Sequence, residues 1–182
     1  MNPGGIFRFA LLLVLTIVLS CKDGLKRQAR DVVAGYVGAT VVFPDSLVYR
    51  TVEEGACPLP QKPLKLIVYI NGECGACMKQ FADWSQVVCQ YESQGDVDVV
   101  FYVRAMDAYA IIPHLRRINF KYPFFIDPKS DILYLNRISE SQTLLHTFLA
   151  DRDNRIVLIG SPVGNPKLSE LYRRQIRELS GE

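Results

Sequence analysis

"LKLIVYINGECGACMKQFADW", residues 64 to 84, decides the reading of this chain. Its first seven residues, Leu64 to Ile70, form a nearly continuous apolar run of strand length, the pattern of a central strand buried on both faces. Beyond Cys77 the rhythm changes. Phe81, Trp84, Val88 and Tyr91 fall three and four apart, which predicts one amphipathic helix from about Cys74 to Tyr91. Two thiols, Cys74 and Cys77, therefore stand where a buried strand turns into a helix. A helix N-terminus carries unpaired N–H groups and a partial positive charge, which favour a thiolate on the first cysteine, and the thiolate is the nucleophile. Cys77 is near enough to attack a mixed disulfide formed at Cys74, so the spacing suits a dithiol/disulfide cycle that needs no cofactor.

Outward from this stretch the pattern continues. "VDVVFYVR" (Val97 to Arg104) reads as a second buried strand, and "DAYAIIPHLRRI" as a helical stretch that Pro113 starts or kinks. "YPFFID" is a short strand and "DILYLNRI" a brief helix. "HTFLA" and "RIVLIG" flank the turn-forming "DRDN", predicting an antiparallel hairpin. In "NPKLSELYRRQIREL", Asn165 is placed as N-cap and Pro166 as first helical residue. Leu168, Leu171, Tyr172, Ile176 and Leu179 share one side, interrupted only by Gln175. The sum is strand, helix, strand, helix, strand, hairpin, helix: an α/β domain with a mixed central sheet and helices on both faces.

At 182 residues, 49% apolar and 22% charged, the chain can bury one real core. Its 21 basic and 19 acidic residues are spread along the sequence, and no dense basic block interleaves with aromatics, so nucleic acid is not an expected partner. Before the domain, Ala10 to Ser20 runs without a charge and stops at Cys21. Eleven residues cannot cross a hydrocarbon core of about 30 Å, so the run reads as the apolar part of a signal peptide. "VLSC" (Val18 to Cys21) resembles a bacterial lipobox. That resemblance implies a lipid on Cys21 and a protein held at the outer side of a membrane, in the cell envelope, where disulfides persist. The expected organisation is a signal peptide over 1–20, a tether over 21–35, an N-terminal extension with a strand or two over 36–62, and the folded domain over 63–182.

The segment "VYINGECGACMKQF", the later "HTFLADRDNRIVLIGSP" hairpin and the closing amphipathic helix together resemble the thioredoxin-like superfamily. The match is best with its redoxin branch of TlpA-like and alkyl hydroperoxide reductase/thiol-specific antioxidant-like proteins. The resemblance spans about Pro63 to Leu179 and implies a three-layer sandwich in which Cys74 attacks and Cys77 resolves. Its implied partners are protein thiols and disulfides with an upstream redox protein, and a monomer is expected. The sequence departs from the family in three places. Glu73 stands where thioredoxins carry Trp, Gly75-Ala76 replaces Gly-Pro, and the proline that helps dock a substrate chain would fall at about Leu145 or His146, before Thr147. His146 and Thr147 are thus the candidate docking residues. A protonated His146 facing the thiols would favour thiolate, whereas the Glu73 carboxylate opposes it.

Other chemistries fit less well. A peroxidatic cysteine needs a Pro and Thr setting that "INGEC" lacks, and copper delivery by a related branch uses CxxxC. A zinc site would need Cys57, Cys89, His114 or His146 to join the pair. Cys57 and Cys89 could bridge one another or be separate buried thiols. The competing reading from another class is a non-catalytic lipoprotein that keeps CGAC as a structural disulfide and binds a partner protein.

Overall fold

The computed structural model describes residues 30–53, 59–93 and 96–181. The apolar run 10–20, the lipobox with Cys21, most of the expected tether, and Cys57 lie outside them. The chain divides into two compact units, 1–36 and 37–182. In the first, residues 30–34 form a helical turn closed by the bond from Gly35 N–H to the Asp31 carbonyl. No helix among the described residues is long and apolar enough to cross a membrane.

The second unit is built on a six-stranded mixed sheet. Its strands are β1 (Val48–Arg50), β2 (Leu64–Asn71), β3 (Val97–Arg104), β4 (Phe124–Ile126), β5 (Thr147–Ala150) and β6 (Ile156–Ile159), in the order β1-β4-β3-β2-β5-β6. β2, β3 and β4 run parallel; β1, β5 and β6 are antiparallel to their neighbours. The two eight-residue strands at the centre have the same burial pattern, with only the second and last residues reaching solvent, as their apolar runs predict.

Alternation sorts the side chains of β2 between two layers. Leu64, Leu66, Val68 and Ile70 enter the main apolar core with Val97, Val99, Phe101 and Val103 of β3. Four helices close this face: α1 (Lys79–Ser85), α2 (Val88–Glu92), α3 (Ile112–Arg117) and α5 (Pro166–Ser180), through Phe81, Trp84, Val88, Tyr91, Leu115, Tyr172 and Ile176. α4 (Asp131–Leu135) covers the opposite face, where Ser130 at its start meets the Tyr69 hydroxyl. Helices on both faces of a mixed sheet, with α1 to α3 forming crossovers between parallel strands, agree with the predicted three-layer arrangement.

Two expectations need correction. The helix predicted over 74 to 91 is two short helices, because Ser85 Oγ donates to the Phe81 carbonyl one turn back and the chain bends after Ser85. The apolar face is kept, since Phe81, Trp84, Val88 and Tyr91 are all buried. In the N-terminal extension, "SLVYRTV" supplies β1 and "YVGATVVF" an isolated bridge from Thr40 to Arg155. Cys89 is a free, exposed thiol, neither bridged nor buried.

The ends of the chain's best-read elements match their residues. Asn165 Oδ1 accepts the Leu168 N–H, Pro166 opens α5, and Gly181 closes it at φ 82°, a left-handed position that suits glycine. Pro113 sits in the first turn of α3, after a 3-10 turn over Ala108–Ala110.

Candidate active site

Cys74 and Cys77 form a disulfide, with Cα atoms 5.1 Å apart. The pair lies just past the C-terminal end of β2, at the sheet edge where the parallel strands end and functional sites collect in open α/β folds. Three local features shape the loop. Asn71 Oδ1 accepts the Glu73 N–H. Gly72 N–H binds the Arg104 carbonyl at 2.8 Å, so close that a Cβ on Gly72 would lie 2.8 Å from that oxygen; only glycine fits. The chain then turns through Cys74 to Met78, with the N–H groups of Cys77 and Met78 both bonding the Cys74 carbonyl, before α1 begins at Lys79.

The two sulfurs differ. Both cysteines are half-buried, but Cys77 packs against the main apolar core and its N–H points at Cys74 Sγ at 3.3 Å. The backbone donor to Cys74 Sγ thus comes from the turn itself, and the helix begins only at Lys79.

The structure brings His146 and Thr147 to the start of β5, beside β2: the His146 carbonyl accepts the Tyr69 N–H at 2.8 Å, and Thr147 pairs with Val68. Thr147 is buried, and its carbonyl accepts the Gly160 N–H. The His146 ring stands edge-on to Tyr69 with centroids 4.9 Å apart, and its Nε2 is buried without a hydrogen-bond partner. Burial pushes the imidazole pKa below its ordinary value, outweighing the opposing pull of Ser139 and Glu140. His146 is therefore neutral near pH 7, and the expectation of a protonated imidazole favouring thiolate is corrected. Every described peptide bond, including the one before Thr147, is trans.

Beside Glu73, the structure adds Arg104, Glu140 and Ser130, which the sequence did not single out. Arg104, the last residue of β3, lies between two carboxylates: its Nη1 donates to Glu140 Oε2 at 2.6 Å, and its Nε is 3.4 Å from Glu73 Oε2. Glu140 Oε1 accepts from Ser130 Oγ at 2.8 Å, and Ser130 Oγ is 2.8 Å from Tyr69 Oη. Since the single Ser130 proton goes to the carboxylate, Tyr69 donates to Ser130, giving a directed chain from β2 to the rim of the site. The only advance signal was position: Asn71 and Arg104 are register partners at the ends of parallel strands.

His114 is far from this set in role, its Nδ1 held 2.8 Å from Arg117 Nη2. No group of three or more metal-ligating side chains occurs among the described residues. A surface cleft of about 860 Å³ between β1 and the segment after β3 contains neither cysteine.

No protein-family model and no curated protein matches the sequence. Solved structures do match. A candidate protein disulfide isomerase from Bacteroides thetaiotaomicron superposes with a TM-score of 0.56 at 17% identity, over 80% of this chain and 91% of its own. PrxQ from Xylella fastidiosa, as a cysteine-to-serine variant, gives 0.56 at 14% identity, over 78% and 95%. The fold is thioredoxin-like. A candidate thiol:disulfide interchange protein, DsbE, from Chlorobium tepidum adds a TM-score of 0.50 at 17% identity, over 62% of this chain and 79% of its own. At these identities the likeness speaks to the fold, and the chemistry must come from the site.

Proposed function

We propose that this protein is a thiol-disulfide oxidoreductase of the bacterial cell envelope, held to a membrane by a lipid on Cys21. The observation that carries the reading is the half-buried Cys74–Cys77 disulfide at the strand-to-helix switch of a thioredoxin-like fold. Cys74 is the attacking thiol. Its sulfur receives the Cys77 N–H, whereas Cys77 is set against the core. In the reducing direction, Cys74 thiolate attacks one sulfur of a substrate disulfide, forming a mixed disulfide and releasing the other sulfur as a thiolate. Cys77 then attacks Cys74 Sγ, freeing the second substrate thiol and leaving the Cys74–Cys77 disulfide. Two electrons pass to the substrate, and an upstream protein dithiol restores the pair.

Protein substrates suit the surroundings. Met106 and Tyr109 stand 76% and 86% exposed on the segment after β3, whose Ile111 packs beneath Gly72. His146, with its unpartnered Nε2, occupies the position before β5 where a docking chain would lie in the resembled family. The competing reading, a structural disulfide in a partner-binding lipoprotein, draws on that same residue being histidine rather than proline.

Insulin reduction by residues 22–182 with dithiothreitol as donor separates the two. Turnover that Cys74→Ser abolishes is expected; equal rates for both proteins would overturn the enzymatic reading. Membrane fractionation of Cys21→Ala tests the anchor, with release into the soluble fraction expected.

A further inference from the structure

Beside the two cysteines, a chain of polar contacts converges on one side chain. Arg104 reaches the cysteine loop twice. Its carbonyl accepts the Gly72 N–H at 2.8 Å, and its guanidinium lies against the carboxylate of Glu73, the residue next to Cys74. Its other arm holds Glu140, which is tied through Ser130 to Tyr69 in the middle of the sheet. As stabilising contacts these pairs are weak. The side chains are 32%, 42% and 46% exposed for Arg104, Glu73 and Glu140, and partly solvated ion pairs contribute little to folding. Their effect on a neighbouring sulfur is another matter, because a carboxylate beside a thiol disfavours the thiolate and a guanidinium on that carboxylate offsets it.

We propose that Arg104 is a positioning residue for the Cys74 thiolate. It draws the Glu73 carboxylate onto β3 and offsets its charge, so that the loop keeps a reactive cysteine next to an acidic residue. The proposal rests on the reading of Cys74 as the attacking thiol and deepens it. Glu73 in turn becomes a tuning group whose influence depends on Arg104. Among the described residues, the adjoining segments also carry Glu140 on the far arm of the guanidinium, Lys79 at the start of α1, and Asp107, whose side chain caps Ala110 N–H. His146 adds no charge near pH 7, being held neutral by burial.

The test is the pH profile of iodoacetamide alkylation at Cys74 in the reduced full chain, read by peptide mass spectrometry so that Cys57, Cys77 and Cys89 are followed separately. Arg104→Gln is expected to move the Cys74 midpoint upward and slow alkylation at neutral pH by roughly three- to tenfold. Arg104→Lys, which keeps the charge and loses the fork, should recover part of the rate. Glu73→Gln should move the midpoint downward, and Glu73→Gln with Arg104→Gln should fall close to wild type. An Arg104→Gln profile matching wild type, or a double variant as slow as Arg104→Gln alone, overturns the proposal. If Arg104→Gln loses the folded far-UV spectrum, the decision passes to Glu73→Gln and Arg104→Lys: unchanged profiles in both overturn it. Alkylation needs no turnover, so a chain that shows these shifts but fails to reduce insulin keeps the positioning role and loses the proposed function. Preferential alkylation at Cys77 would instead refute the assignment of the attacking thiol.

Discussion

Both faces of β2 are buried, but among the described residues only one of them carries a hydrogen-bonded polar chain. One face, Leu64, Leu66, Val68 and Ile70, meets only apolar partners and aromatic edges, with Trp84 and Phe120 both T-shaped to Phe101. The other face carries Lys65, Ile67, Tyr69 and Asn71, and from Tyr69 a hydrogen-bonded chain runs through Ser130 and Glu140 to Arg104 beside the cysteine loop. Burial on both faces supplies stability, because it is non-directional and every side chain adds to it, Ile67 and its register partner Phe148 included. The polar chain on the second face supplies aim, because each of its bonds holds one atom in one place. The cysteine loop, set on the edge between the two faces, is anchored by that burial and oriented by the polar chain.

The largest expected effect comes from breaking the apolar face. Trp84→Ala removes a fully buried ring and leaves a cavity, so it should cost about 3–5 kcal/mol in urea denaturation. A loss under 1 kcal/mol would mean the two faces do not differ as described. On the polar face, Ser130→Ala strands the Tyr69 hydroxyl and one Glu140 oxygen. Its expected cost is about 1–3 kcal/mol, with the apolar core unchanged by near-ultraviolet dichroism. The smallest effect is one of pH. Because burial lowers the His146 pKa in the folded state, the unfolded chain binds the extra proton more readily. Stability on this account is fully present above the unfolded value of 6.5 and is lost as the pH falls through it toward the lower folded value. His146→Phe keeps a ring against Tyr69 and removes the titration. Its melting temperature should therefore fall less than that of wild type between about pH 7.5 and about pH 5, and equal slopes would refute the account.

Legibility followed the same division. β2 and β3 were readable because strands buried on both faces must be apolar throughout. α5 was readable because Asn165 and Pro166 mark its start by local chemistry and its apolar residues share one side. The break between α1 and α2 was not, since it turns on Ser85 folding its hydroxyl back onto the Phe81 carbonyl, an option a serine takes or declines by context. The polar chain was invisible for a further reason. Tyr69 and Ser130 are 61 positions apart, and Arg104 and Glu140 are 36 apart, and no periodicity joins them.

By itself the sequence determined the α/β class, the central strands, the closing hairpin and helix, and the placing of Cys74 and Cys77 at a strand's end. Hydrophobic period and capping residues act over a few neighbours, and so can be read in one dimension. Only the tertiary structure decided that Arg104 stands between Glu73 and Glu140, that His146 is half-buried with its Nε2 enclosed, and that Cys77 faces the core while Cys74 receives its N–H. Those are matters of distance between segments far apart in the chain, and distance is set by how the strands are ordered in the sheet.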